Sequence, residues 1–230
     1  HMLPEDLSRL EKLKLAKKCG FEGIEINSDV FKNPGDAEEV GKQARDIGIP
    51  VHSVVFGGWQ TPFSDPNPSF REKGVKKMKE TMRMAQAAGA TTVLLVPAVV
   101  TSRVSYAEAY KRSQENIRKL IPLANDLQVV IAIENVWNRF LLSPLEFATY
   151  IDEFNSRWVR AYFDVGNVVI FGFPQDWIRT LGSRITKIHL KDFKRQGYQW
   201  KNLFQGDVNW TEVRKAISEI GYSGYLTSEL

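Results

Sequence analysis

Residues 123–135, LANDLQVVIAIEN, carry the end of a helix through a short polar join into a β-branched strand that closes on Glu134. The same join recurs about seven times in the 230 residues. It reads KKCGFEGIEIN at 17–27, ARDIGIPVHSVV at 44–55, QAAGATTVLLV at 86–96, EFNSRWVRAYFD at 153–164, RTLGSRITKIHL at 179–190 and SEIGYSGYLTSEL at 218–230. Gly20, Gly48, Gly89, Gly182 and Gly221 fall where a helix must stop and the backbone turn left-handed, which costs glycine little.

Between the joins, Val75, Met78, Met82 and Ala85 recur at helical spacing and predict a helix over 70–88 with one packed and one wet face. Comparable patterns predict helices over 4–19, 36–47, 105–127, 143–155, 175–181 and 210–220. Ser143-Pro144-Leu145-Glu146 combines a capping serine, an early proline and a glutamate three residues after the cap. Strands alternating with helices, without a composition break, imply parallel strands joined by crossovers in one α/β domain over 1–230. An open doubly wound sheet and a closed (β/α)8 TIM barrel both fit this alternation. The glycine-rich phosphate fingerprint of the open sheet is absent, which favours the barrel. The pattern opens in a helix and closes in a strand over 225–230, so the barrel is expected to lack its first strand and last helix. His1-Met2 reads as a vector remnant.

Composition narrows the function classes. At 43% hydrophobic and 25% charged residues the chain is an ordinary globular one, which excludes disorder. The longest apolar run, Val93 to Val100, contains Pro97 and falls far short of the roughly 18 residues of a membrane helix. No membrane partner is expected, and without an apolar leader core the expected location is cytoplasmic. The excess of 31 basic over 27 acidic residues is small and spread along the chain, so no nucleic acid partner is expected. Cys19 is the single cysteine; it can neither pair internally nor build a thiolate zinc site, and is read as a packing residue. A homo-oligomer through exposed helices suits a barrel, but no interface is legible.

Reactive groups in such a barrel gather at the C-terminal ends of its strands. Glu134 ends VVIAIE, Asp164 ends VRAYFD, His189 lies at the end of ITKIHL and Glu229 at the end of GYLTSE. A carboxylate closing one strand is often a loop cap. Four such residues on consecutive strands converge on one rim, where like charges resist ionising together and a shared cation resolves the conflict. Carboxylate oxygens with one imidazole nitrogen suit Mn²⁺, Mg²⁺, Co²⁺ or Zn²⁺.

Other residues flank this rim. Glu25 in GIEI either orients a ligand or pairs with Lys187, and His52 in PVHSV reads as core or supporting rather than catalytic. Lys191 shares a strand face with His189 and meets either a substrate oxyanion or one of Asp164 and Asp192. Trp59 and Trp137 fall in loops after strands, where an aromatic face covers a sugar or simply packs. Lys194, Arg195 and Lys201 form a basic loop that either takes a phosphate or stays solvated.

Taken together, IAIENVWN, AYFDVGNV, KIHLKDF, QGDVNW and GYLTSEL resemble the sugar phosphate isomerase/epimerase family, the xylose-isomerase-like barrels that include ketose 3-epimerases. The resemblance covers most of the chain from Leu3 onward. It implies a metal-dependent isomerase or epimerase acting on a sugar or sugar phosphate, with Glu134, Asp164, His189 and Glu229 as metal ligands. It also implies that Glu134 and Glu229 transfer protons beside a ketose carbonyl by way of an enediolate. Asn167 and Arg195, by their match to family positions, and Lys191, His52, Glu25 and Trp137, by their place at the rim, are the candidate substrate contacts. Two positions depart from the ketose 3-epimerase pattern. Asn167 stands where those enzymes carry a histidine, and Phe140 stands where they carry a second glutamate. Arg195, six residues after His189, matches an arginine of theirs.

Three alternatives stay open or fall on the residues. A DNA-repair endonuclease shares the barrel, but its trinuclear zinc site needs several histidines and only His52 and His189 remain once His1 is set aside. A keto-inositol dehydratase or isomerase uses the same enolate chemistry. A barrel that binds a sugar without turning it over is the non-enzyme reading, and Asn167 is its best support.

Overall fold

The computed structural model describes residues 3–60 and 62–229. Its helices begin where side chains satisfy the first free N–H groups. Ser8 and Glu11 form a reciprocal cap, so α1 runs Arg9–Lys18 and starts later than the pattern over 4–19 suggests. Cys19 follows as its C-cap and is exposed, which corrects its reading as a packing residue. Asn33 and Asn67 cap α2 (Pro34–Ile47) and α3 (Pro68–Ala88), each with proline in the first turn. Gly48 and Gly89, at φ 76° and 84°, end these two helices in the left-handed region.

The helix expected over 105–127 is two helices, α4 (Tyr106–Arg118) and α5 (Ile121–Leu127). Pro122 lacks an N–H and its ring crowds the preceding turn, so the chain breaks at Leu120 and restarts with proline in the first turn. The remaining helices are α6 (Pro144–Asp152), α7 (Pro174–Leu181) and α8 (Trp210–Glu219).

In chain order the strands are β1 (Ile24–Asn27), β2 (Val51–Val55), β3 (Thr92–Leu95), β4 (Val130–Glu134), β5 (Val159–Asp164), β6 (Ile185–Leu190), β7 (Asp192–Lys194), β8 (Gln199–Lys201) and β9 (Leu226–Ser228). Seven of them form one parallel sheet in the order β1-β2-β3-β4-β5-β6-β9, the nearly closed wall of a TIM barrel. Across the seam between β1 and β9, Gly23 lies against the Tyr225 ring so closely that a Cβ there would collide with it. Tyr225 in turn stacks on His52 with ring centroids 4.2 Å apart.

Alternation divides the strands into two faces. Val93, Leu95, Ile131, Ile133, Phe163 and Ile188 face outward into the main core against the helices, where Met78, Met82, Phe147 and Ile178 are fully buried. Leu94, Ala132 and Tyr162 face inward and pack with Val55, Val96 and Val130. Glu134 and Asp164 continue that inward face at the strand ends. Two register shifts re-aim further side chains: His52 is an extra residue on β2 opposite Ile24 and Glu25, and Thr186 is one on β6 opposite Ala161 and Tyr162.

The loop after β6, which the sequence presents only as a basic stretch, contains the antiparallel hairpin β7–β8, pairing Asp192 with Lys201 and Lys194 with Gln199. No helix of the described residues is long and apolar enough to cross a membrane.

Candidate functional site

Parallel register carries the four strand-end residues to one level. Asp164 on β5 pairs with His189 on β6, and His189 pairs with Thr227 on β9. The Glu229 N–H then donates to the Leu190 carbonyl, seating Glu229 beside the histidine. One donor atom from each of Glu134, Asp164, His189 and Glu229 lies within 4.8 Å of all the others. His189 Nδ1 is 2.9 Å from Glu134 Oε1, 2.8 Å from Glu229 Oε2 and 3.9 Å from Asp164 Oδ2. Three members are buried and Glu229 is 46% exposed, so the group opens to solvent on one side.

The electrostatics follow from this crowding. Burial pushes the Glu134 carboxyl up to about 7, against the pull of His189, with Asp164 and Glu229 adding repulsion. Burial likewise raises Asp164, opposed by Lys191 and His189. Burial also works against the charge on His189, yet Glu25, Glu134 and Glu229 outweigh it and hold the imidazole well above its ordinary value. At Glu229 the order reverses: burial is overcome by His189 and Lys191, which bring its carboxyl down to about 2. Lys191 Nζ lies 3.3 Å from Asp164 Oδ2 and 3.0 Å from Glu229 Oε2. The site thus draws its own cations onto its carboxylates.

One atom points to a missing neighbour. Asp164 Oδ1 accepts the Asn167 N–H at 2.7 Å, whereas Oδ2 is buried without a hydrogen bond and meets Lys191 only at ion-pair distance. An orphaned carboxylate oxygen facing two further carboxylates and an imidazole nitrogen is a donor set that fits a divalent cation.

Glu25 accepts the Tyr162 hydroxyl at 2.6 Å on one oxygen and meets His189 Nε2 at 2.8 Å on the other. Its ion-pair partner is His189, while Lys187 lies 5.0 Å over the Tyr225 ring. His52 sits lower in the barrel, its Nε2 3.2 Å from the Thr227 hydroxyl. Lys191 meets both Asp164 and Glu229. Asn167 donates its side-chain Nδ2 to the Asn135 carbonyl at 2.9 Å, and its main-chain carbonyl accepts the Trp137 indole N–H at 2.8 Å. Trp137 packs in an aromatic group with Phe193, Tyr198 and Trp200. Arg195 directs its guanidinium to the carbonyls of Val169 at 2.6 Å and Gly172 at 3.1 Å, tying the hairpin to the loop after β5. Trp59 stands 54% exposed beside Phe56, Pro62, Phe63, Val96 and Val99, on the β2–β3 side of the rim.

Asn135 and Tyr162 escaped the sequence reading, and Asp192 entered it only as a candidate partner of Lys191. Asn135 directly follows Glu134, and Tyr162 shares the inward face with Asp164 by simple alternation, so both carried a positional signal. Asp192 is buried and accepts the N–H groups of Phe193, Gly206 and Val208 together with the Trp210 indole N–H. That explains why QGDVNW packs on KDF: a side chain at Gly206 would collide with the Asp192 carboxylate.

Comparison with known proteins gives this arrangement a context. The family profile described as "Xylose isomerase-like TIM barrel" matches residues 13–230. The chain is 27% identical over 244 aligned positions to a candidate L-ribulose-5-phosphate 3-epimerase of Haemophilus influenzae, covering 99% of this chain and 85% of that one. It is 22% identical to an L-ribulose-5-phosphate 3-epimerase of Escherichia coli, covering 96% and 82%. Among solved structures it superposes on a D-psicose 3-epimerase determined with D-fructose at a TM-score of 0.83, with 21% identity, covering 97% and 80%. It superposes on a 3-keto-D-glucoside 4-epimerase of E. coli at 0.85, with 20% identity, covering 99% and 88%.

Proposed function

Because the chain belongs to the xylose isomerase-like TIM-barrel family, we propose that it is a divalent-metal-dependent epimerase that moves a proton next to the carbonyl of a ketose or ketose phosphate. The observation that carries this reading is the convergence of four donor atoms within 4.8 Å, among them one from Asp164, whose buried Oδ2 accepts no hydrogen bond. Glu134, Asp164, His189 and Glu229 are the residues that would hold the ion. A divalent cation there would act as a Lewis acid, acidifying the carbon beside the substrate carbonyl. The names of the epimerase relatives support the same class of reaction.

The chain's own residues supply the proton chemistry. Glu134, raised to about 7 by its burial, has the basicity to take the C3 proton at neutral pH. Glu229, which follows β9 on the same rim, returns a proton to the other face, which inverts the carbon. Its 46% exposure puts it in reach of solvent protons, one of which it must gain before that step because His189 and Lys191 hold it ionised in the metal-free protein. The aromatic group around Trp137 borders the same rim and offers a flat face for a sugar ring.

The test is a panel of free and phosphorylated ketoses and an inosose, incubated in D₂O with Mn²⁺ or Mg²⁺ and followed by NMR. Deuterium is expected at C3. Label at C1 or C2 would make the protein an aldose–ketose isomerase instead, and uptake in none of the substrates would overturn the catalytic reading.

A further inference from the structure

Glu25 lies 164 residues before His189, on β1 at one edge of the sheet, yet it is the partner of the histidine's second nitrogen. Its Oε1 is 2.8 Å from His189 Nε2, while Oε2 accepts the Tyr162 hydroxyl at 2.6 Å. Tyr162 is fully buried, and its ring also leans on the His189 ring with centroids 4.4 Å apart. Neither oxygen of Glu25 is therefore free to rotate away. The other face of the imidazole presents Nδ1 to Glu134, Asp164 and Glu229.

A neutral imidazole has one N–H and one lone pair, and the hydrogen bond made by one nitrogen decides what the other can do. A carboxylate only accepts, so the proton of the neutral ring is fixed on Nε2 and the lone pair on Nδ1, toward the acidic cluster. A tyrosine hydroxyl that donates to the second carboxylate oxygen fixes the plane of the carboxylate and, through it, the plane of the ring. Partners of this kind behind a metal-binding histidine are worth about 10–100-fold in metal affinity.

We infer that Glu25, held in place by Tyr162, is a positioning residue that commits His189 to offering Nδ1 as a metal ligand. This rests on the metal-binding part of the proposed function and not on turnover. Glu25→Gln keeps the shape but can present an amide N–H to the ring, which removes the constraint on the proton. Tyr162→Phe leaves the carboxylate and removes only its anchor.

The experiment is calorimetric titration of Zn²⁺ into chelator-stripped protein, with ¹⁵N-histidine spectra of the zinc-loaded forms and thermal unfolding of the metal-free forms. For Glu25→Gln the zinc Kd is expected to rise about 10–100-fold in protein that the metal-free unfolding shows to be folded, with a weakened Nε2–H signal from His189. Tyr162→Phe is expected to raise Kd less, and it carries the test if Glu25→Gln does not fold. Zinc affinities and Nε2–H signals equal to those of the unmodified chain in the folded variants would overturn the inference while leaving metal binding intact. If the unmodified chain takes up no zinc, the metal reading and this inference fall together. Glu25-dependent zinc binding in a protein that epimerises no ketose would support the inference and remove the proposed activity.

Discussion

The side-chain amide of Asn135 pairs with both backbone groups of Asp164: Nδ2 donates to its carbonyl at 3.0 Å and Oδ1 accepts its N–H at 2.9 Å. It stands in for one more step of the β4–β5 ladder beyond the last strand residue, so the spacing between Glu134 and Asp164 is set by a side chain. Asn167 closes the loop by donating its amide to the Asn135 carbonyl and its N–H to Asp164 Oδ1.

Asn135→Ala would leave both buried backbone groups of Asp164 without partners, each a loss of roughly 1–3 kcal/mol. Denaturant unfolding is expected to show a destabilisation of about 2–4 kcal/mol, with weaker divalent-metal binding measured in the same preparation. A change within about 0.5 kcal/mol, the range of an ordinary surface substitution, would show that the amide does not brace these strands.

Glu134→Gln keeps the volume of the side chain and removes its ability to take a proton. Deuterium uptake into the substrate is expected to slow by about 10²–10⁴-fold, the ordinary worth of a positioned general base. Exchange within tenfold of the unmodified rate would assign the proton transfer to another group.

Occupation of the four-residue group should stabilise the fold by mass action. At one hundred times Kd the gain is about 2.7 kcal/mol, which for a chain of this size raises Tm by roughly 5–11 °C. Differential scanning calorimetry with and without Mn²⁺, followed by chelator, checks this. A Tm indifferent to every divalent ion tried would count against the site.

His52 gives a pH dependence whose sign can be worked through. Burial and Lys187 bring its folded-state value down to about 4 from the ordinary 6.5, so between those limits the unfolded chain binds a proton that the folded chain refuses. Its contribution is complete above pH 6.5 and is lost as the pH falls toward 4, by up to about 3 kcal/mol. The unmodified chain should therefore lose more stability over this interval than His52→Gln does. NMR titration should find the His52 ring neutral until the pH nears 4; an ordinary midpoint near 6.5 would contradict the burial.

The strand-end residues were legible because a barrel turns a one-dimensional cue into a shared place: an apolar run that stops on Glu134, Asp164 or His189 must stop at the same rim. Helix starts at Ser143 and stops at Gly48 and Gly89 were equally local. What escaped depends on register or on distant partners. No pattern in PVHSV announces that His52 is the extra residue of a bulge, because the bulge exists only relative to Ile24 and Glu25 on the neighbouring strand. The break at Leu120 was hidden by apolar periodicity that continues through it, although Pro122 was the available warning. Asn167 and Arg195 were placed about the substrate on family grounds, and no local pattern announces that their side chains donate to backbone carbonyls of neighbouring loops.

Arg195 grips two carbonyls of the loop that follows β5, while its own N–H donates to Asp207 at 2.8 Å. The hairpin, the loop after β5 and the start of the segment leading into α8 are thereby stitched at a single residue. On this side the barrel mouth is thus bordered by three strips of chain that a single guanidinium and one backbone N–H hold to one another.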